Sequence, residues 1–303
     1  MKVGIIGAGA FGTALAISVA NGGKDVILWG FDGDMAKNMQ KGRENDNLLG
    51  VKVPENVLMT ADMAKLKDCA VWLIATPSEF FDETMQKSRE FWTNQPIIIC
   101  TKGMDNTGKF MSEVLTDVFA DTNSNLSIGV LSGPQFAAEV AAGKPTGSTI
   151  AGNAAVTKLA AQILPGFYLE KTDDIIGVEI CGAGKNSVAI LMGYLDGKGM
   201  GENERALKIT ETFGEIVRLG RALGAKDDTF FGLSGLGDLF LSATSKTSRN
   251  YNAGYDFSRG LPLEKGITTE GVTATRGLLK IAKKAGISMP NIEFLAGVIS
   301  NAA

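Results

Sequence analysis

Two lysines and an aspartate carry charge where their neighbours do not. Lys185 lies in Ile180–Ile190, ICGAGKNSVAI, a stretch otherwise made of small, apolar or uncharged residues. A helix of that composition is largely buried, and burial lowers an ammonium's pKa toward the range useful for moving protons. Either Lys185 is such a proton carrier, or its stem snorkels to the surface while Asn186 bonds a loop. Asp238 is the sole charge of Phe231–Phe240, FGLSGLGDLF. It is either the counter-ion of a nearby ammonium or the N-cap of a helix. Lys102 follows the apolar run Pro96–Cys100 in Thr101-Lys102-Gly103, at the carboxyl end of a strand, where open α/β sheets hold ligands. Ser132-Gly133-Pro134 ends another strand and precedes a helical run, so its backbone N–H groups could meet an anion. Ser248-Arg249-Asn250 sets a guanidinium beside polar donors, a combination suited to phosphate; taken alone, it reads as an exposed loop. Glu139 reads as a structural or a helix-surface charge.

The chain has no histidine, so acid-base chemistry falls to Lys, Asp, Glu, Tyr or Cys. The same absence removes the commonest metal ligand, and no metal site is expected. Cys69, Cys100 and Cys181 are odd in number without CxxC spacing, which argues against a disulfide framework and for a reducing cytoplasm. A net charge of −3 without a long basic run excludes nucleic acid as an expected partner. No uninterrupted apolar run approaches the roughly 18 residues of a membrane helix, and no basic leader precedes the first strand.

These groups need a scaffold. Lys2–Ile6 suits a buried strand, Gly7-x-Gly9-x-x-Gly12 a tight turn, and Thr13–Ala20 a helix. Strand, glycine turn and helix N-terminus together form an anion cradle: the first glycine makes the turn, the second admits a pyrophosphate, and the third lets helix and strand pack. Further apolar strands are expected at Asp25–Gly30, Cys69–Ala75, Pro96–Cys100, Leu126–Leu131, Ser148–Ala151 and Phe167–Glu170, with a helix at Asp32–Gln40. That alternation predicts a Rossmann-type, doubly wound parallel α/β sheet. From about Ile175 long helical patterns take over, at Gly177–Tyr194, Glu202–Leu223, Thr269–Ala285 and Asn291–Ser300. With 303 residues, two domains are expected: a dinucleotide-binding domain over 1–173 and an all-α domain over 174–303. The absence of a linker predicts direct packing with an active site between them. Asp32 lies about 20 residues after Gly12, where an acidic group binds the ribose of NAD. No Arg occurs between Gly12 and Arg43, which favours NAD; Lys24 or Lys37 is the alternative route to NADP.

In order along the chain, GAGAFGTALA, NLLGVKVPENV, TPSEFF, TKG, SGPQFAAEVAAGKPT, IGVEICGAGKNSVAI, GLSGLGDL, SRN and TTEGVTATRG resemble the NAD(P)-dependent glycerol-3-phosphate dehydrogenases. The resemblance implies interconversion of sn-glycerol 3-phosphate and dihydroxyacetone phosphate, supplying glycerol 3-phosphate for phospholipid synthesis. By position it implies Lys185 as the catalytic lysine, Lys102 as a second lysine near the reacting oxygen, and Asp238 as the carboxylate orienting the first. It puts Ser248, Arg249 and Asn250 at the substrate phosphate, with Arg249 and Lys102 also at the cofactor. Gly133 and Gln135 would line the substrate. Ala10, Phe11, Ala137 and Glu270 would line the cofactor, and Phe31 would pack on adenine. Helical domains of this kind often pair, so a homodimer is expected.

Three departures stand out. The chain ends soon after MPNIEFLAGVISNAA, where members usually continue, predicting a compact or shortened helical domain. Ile209-Thr210-Glu211-Thr212 replaces the usual Ile-Thr-Arg-Gly, and Gln135 replaces a small hydroxyl residue. Two rival readings are a β-hydroxyacid dehydrogenase acting on carboxylates and a catalytically silent dinucleotide sensor.

Overall fold

Apolar β-branched runs become strands here because both faces of each can be covered. The first is β1 (Lys2–Ile6), followed by α1 (Ala10–Asn21), β2 (Asp25–Trp29), α2 (Gly33–Gly42), β3 (Val57–Thr60), β4 (Val71–Ile74), α3 (Phe81–Ser88) and β5 (Ile97–Ile99). Then come α4 (Met111–Val118), β6 (Ile128–Ser132), α5 (Ala137–Ala141), β7 (Thr146–Gly152), α6 (Ala154–Ile163) and β8 (Phe167–Thr172). The computed structural model describes residues 1–122, 126–263 and 270–302. They fall into two compact units. One comprises Met1–Thr101, Ser112–Leu131 and Gln135–Asp173; the other comprises Lys102–Met111, Ser132–Pro134 and Asp174–Ala303.

The eight strands of the sheet lie in the order β3-β2-β1-β4-β5-β6-β7-β8. Pairings from β3 through β6 are parallel. The chain reverses its direction of travel across the sheet between β1 and β4, the switch point where such sheets bind ligands. β3 was not expected from the sequence. Its four residues alternate between buried and exposed at the sheet edge, so it lacks the continuous apolar run of the central strands. The uniformly parallel expectation also needs correction at the far edge. Gly129 at the start of β6 lies beside Ala151 and Gly152 at the end of β7, as in strands running oppositely. The connection from β6 to β7 contains only the five-residue α5, shorter than the helix of a usual parallel crossover. β7 and β8 then pair parallel to each other.

The second unit is helical: α7 (Ile175–Gly197), α8 (Glu202–Ala222), α9 (Asp227–Phe231), α10 (Asp238–Thr244), α11 (Arg249–Ser258), α12 (Glu270–Ala285) and α13 (Pro290–Ala302). The four long helices match expectation to within a turn, except that Thr269, the expected start of the third, lies outside the described residues. α7 is long and apolar enough to cross a membrane, but 83% of its most apolar window is buried inside the protein; it is the core of this unit. Asp174 starts it, accepting the Gly177 N–H at 2.9 Å, the Lys226 N–H at 2.8 Å and the Thr229 hydroxyl at 2.6 Å. Gly193 on α7 and Gly254 on α11 make a close crossing. A Cβ on either would stand 1.8 Å from a backbone oxygen of the other helix.

Candidate active site

Lys102, Lys185 and Asp238 converge within the helical unit. Lys185 sits midway along α7. Asp238 opens α10, directly after a π-helical turn over Leu233–Gly237. Such turns often occur at functional sites because they re-aim the next residue. The N-cap of α10 is Gly237, with no side-chain cap bond, so the carboxylate of Asp238 serves the lysines and not a helix end. Lys102 Nζ lies 2.8 Å from Asp238 Oδ2 and Lys185 Nζ 3.1 Å from Oδ1. The carboxylate side chain is 1% exposed, the two lysines 14% and 13%. One buried anion thus bridges two ammoniums, with each oxygen assigned to one.

Neutral groups fix the geometry. Lys185 Nζ also donates to Ser242 Oγ at 2.9 Å, and that hydroxyl donates to Asp238 Oδ1 at 3.4 Å. Lys102 Nζ donates to the Gly133 carbonyl at 2.7 Å. The Lys102 carbonyl accepts from Asn186 Nδ2 at 3.2 Å; Asn250 Nδ2 donates to Asn186 Oδ1 at 2.9 Å, and the Gly271 N–H to Asn250 Oδ1 at 3.1 Å. This amide relay joins α12, α11 and α7 to the segment carrying Lys102. Sequence reasoning missed Ser242, although its signal was present: it stands four residues after Asp238 on one helix face.

Burial holds the Lys185 ammonium down to about 8; the Asp238 carboxylate opposes this, while the positive charges of Lys102 and Arg249 add to it. Lys185 is therefore no snorkelling side chain. It keeps its proton near neutrality yet releases it more readily than an ordinary lysine.

Ser248-Arg249-Asn250 is a helix start and not a loop: Ser248 is the N-cap of α11, accepting the Tyr251 N–H at 3.4 Å. Arg249 is exposed on its first turn. Asn250 spends its amide oxygen and one hydrogen on the relay, leaving one amide hydrogen. Glu270 is half-buried at the first residue of α12. In the sheet unit, Ala137 opens α5, and Gln135 has both amide atoms buried with no hydrogen-bond partner. Glu139 is a surface charge, paired with Lys144 at 3.3 Å.

The glycine turn is as its spacing demands. Gly7 has φ +117°, and a Cβ there would meet the Ala75 carbonyl carbon at 2.7 Å; a Cβ on Gly12 would stand 1.8 Å from the Gly7 oxygen. Gly9 differs: nothing lies within 4 Å of the place its Cβ would take. No side chain caps α1, whose N-cap is Gly9. Ala10 and Phe11 form its first turn, with Phe11 packed against the core. A helix N-terminus with an open glycine and no cap of its own fits a pyrophosphate. β2 delivers Phe31 and Asp32 beside this loop, since the Gly7 N–H donates to the Trp29 oxygen at 2.9 Å and Gly30 abuts Ala8. Phe31 is 86% exposed. Asp32 Oδ1 caps α2, accepting the Asp34 and Met35 N–H groups at 2.9 and 3.0 Å.

The open position can be tested by substitution. Gly9 has φ −76°, which any residue adopts, so Gly9→Val should fold with its melting temperature little changed while raising the KM for NADH at least about tenfold. Gly12→Ala should instead cost about 1–3 kcal/mol of stability, the usual price of overpacking. Equal cofactor KM in folded Gly9→Val and the parent would remove the pyrophosphate from this position.

Residues 2–157 match the family model for the NAD-dependent glycerol-3-phosphate dehydrogenase N-terminus, and residues 174–303 that for its C-terminus. A glycerol-3-phosphate dehydrogenase [NAD(P)+] of Parvibaculum lavamentivorans is 34% identical, with 100% of this chain and 93% of the relative covered. One from Carboxydothermus hydrogenoformans is 38% identical over 99% and 92%. The crystal structure of glycerol-3-phosphate dehydrogenase from Coxiella burnetii superposes with a TM-score of 0.93 at 32% identity, covering 100% of this chain and 95% of that one. The chain belongs to the NAD-dependent glycerol-3-phosphate dehydrogenase family.

Proposed function

We propose that this enzyme interconverts sn-glycerol 3-phosphate and dihydroxyacetone phosphate with NAD(P)(H), and that Lys185 is its acid-base group. The observation that carries the assignment of Lys185 is its buried ammonium, held near pKa 8 and 3.1 Å from Asp238. Gly7, Gly9, Ala10, Phe11 and Gly12 would hold the cofactor's phosphates, with Phe31 and Asp32 at its adenosine end and Ala137, Arg249 and Glu270 as further contacts. A nicotinamide bound there would supply or take up the hydride. Lys185 gives a proton to the C2 oxygen when the ketone is reduced and removes it when the alcohol is oxidised. Lys102 adds positive potential where negative charge develops on that oxygen. Asp238 and Ser242 fix the Lys185 amine, so little reorganisation accompanies the transfer. Arg249, with Ser248 and Asn250, binds the phosphate, and that remote binding orients the reacting carbon. Gly133 and Gln135 complete the substrate contacts.

We further propose a preference for NAD over NADP. Asp32 presents a carboxylate where a 2′-phosphate would need a cation, and the nearby Lys37 is paired with Asp34 at 3.4 Å. The product would feed phospholipid synthesis. The three cysteines are free and buried, which suits the cytoplasm. The test is oxidation of NADH and NADPH by dihydroxyacetone phosphate, run beside carboxylate analogues. Turnover with the phosphate substrate and a higher kcat/KM for NADH are expected. Turnover confined to the carboxylates would overturn the substrate assignment, and a higher kcat/KM for NADPH would overturn the cofactor preference.

A further inference from the structure

Asn45 lies between α2 and the NLLGVKVPENV stretch and is fully buried at 0% exposure. Its Nδ2 donates to the Ala8 carbonyl at 2.9 Å and to Thr13 Oγ1 at 2.6 Å, and its Oδ1 accepts the Asn47 N–H at 2.9 Å. Both amide hydrogens and the oxygen are thereby engaged. Ala8 is the residue between Gly7 and Gly9. In a planar trans peptide the carbonyl and the following N–H point in opposite directions. Fastening the Ala8 carbonyl from one side therefore fixes the direction of the Gly9 N–H on the other. Thr13, 1% exposed on α1, ties the same amide to the helix that the glycine turn opens.

The segment carrying Asn45 is itself braced. Arg43 takes a left-handed φ of 55° at the end of α2. Its guanidinium donates to the carbonyls of Val53 and Val57, each at 3.1 Å, and to that of Pro54. The Val53 N–H returns a bond to the Arg43 oxygen at 2.9 Å, and the Leu48 N–H bonds the Asn45 oxygen at 2.8 Å. Leu48 and Val53 are buried in the core of the sheet unit. Asn45 is thus held by its own backbone and packing, independently of the groups it bonds.

We infer that Asn45 is a positioning residue for the dinucleotide: from behind the glycine turn it orients the peptide whose N–H faces the cofactor's pyrophosphate. The inference rests on the cofactor site proposed above. Asn45→Asp keeps the shape and, as a carboxylate, offers no hydrogen to the Ala8 carbonyl. Titration calorimetry of NADH into the substrate-free enzyme, well below its melting temperature, should show Kd raised roughly 3- to 10-fold, the equivalent of one lost hydrogen bond. The KM for dihydroxyacetone phosphate at saturating NADH should stay within about twofold. Thr13→Val, which leaves the Ala8 bond in place, should bind NADH within about twofold of the parent. Asn45→Ala, which has no donor and adds no charge, carries the same expectation whether or not Asn45→Asp folds. A folded Asn45 variant with unchanged Kd for NADH overturns the inference, as does Thr13→Val weakening NADH as much as Asn45→Asp. Failure of the parent itself to bind NADH would instead strike the cofactor site.

Discussion

Lys185→Met is expected to lower turnover at least ~10²-fold, the ordinary contribution of a positioned acid-base group. Binding should survive, because the glycine turn belongs to the sheet unit and Lys185 to the helical one. Stability should survive too. The ammonium is held against its desolvation cost, as its depressed pKa shows, so an apolar chain of similar length is no worse a tenant. Asp238 keeps Lys102 at 2.8 Å as its counter-ion. The expected result is therefore a folded protein that binds NADH and barely turns over, and near-normal turnover would sink the assignment. The parent's pH profile provides a second reading. Reduction needs the charged amine, so its kcat/KM should be level below a pKa of about 8 and fall above it. Oxidation needs the neutral amine and should lose activity as the pH falls through the same value. In Lys185→Met that limb should be absent from whatever activity is left.

Much of this site could be read from residue types alone, and the reason is local. A lysine among glycines and alanines, an aspartate alone among apolar residues, and a lysine after a buried strand each violate burial statistics, so each marks itself. Their partnership was not legible. Lys102 and Asp238 are 136 positions apart in sequence, and only the fold brings them together. The π-helical turn before Asp238 was equally hidden, since Gly-rich apolar sequence reads as a helix start. The antiparallel step between β6 and β7 was missed because strand direction depends on how far the intervening chain reaches, which composition does not encode. Asn45 escaped for a different reason: a single Asn in a polar loop looks like a turn residue until its burial is known.

Asp238→Asn is the substitution with the largest expected effect on stability. It keeps the shape of the side chain and removes the one charge that two buried ammoniums share. Breaking a buried pair by deleting one partner costs about 3–5 kcal/mol, because the other charge is left uncompensated. Here two are left, although shedding the Lys185 proton relieves one. The direction of that relief gives a specific reading. Asp238 is the main influence holding the Lys185 pKa up against burial; without it the pKa must fall further below about 8. The alkaline limb of reduction and the acidic limb of oxidation should then move together to lower pH, since both report the same amine. Turnover should fall as well, because Ser242 alone would hold Lys185 in place. Thermal melts and paired pH–rate profiles of Asp238→Asn and the parent read both effects. Limbs that stay in place, or move to higher pH, would show that Asp238 does not set the protonation of Lys185. A mere loss of stability with the limbs unmoved would reduce the carboxylate to a structural counter-ion.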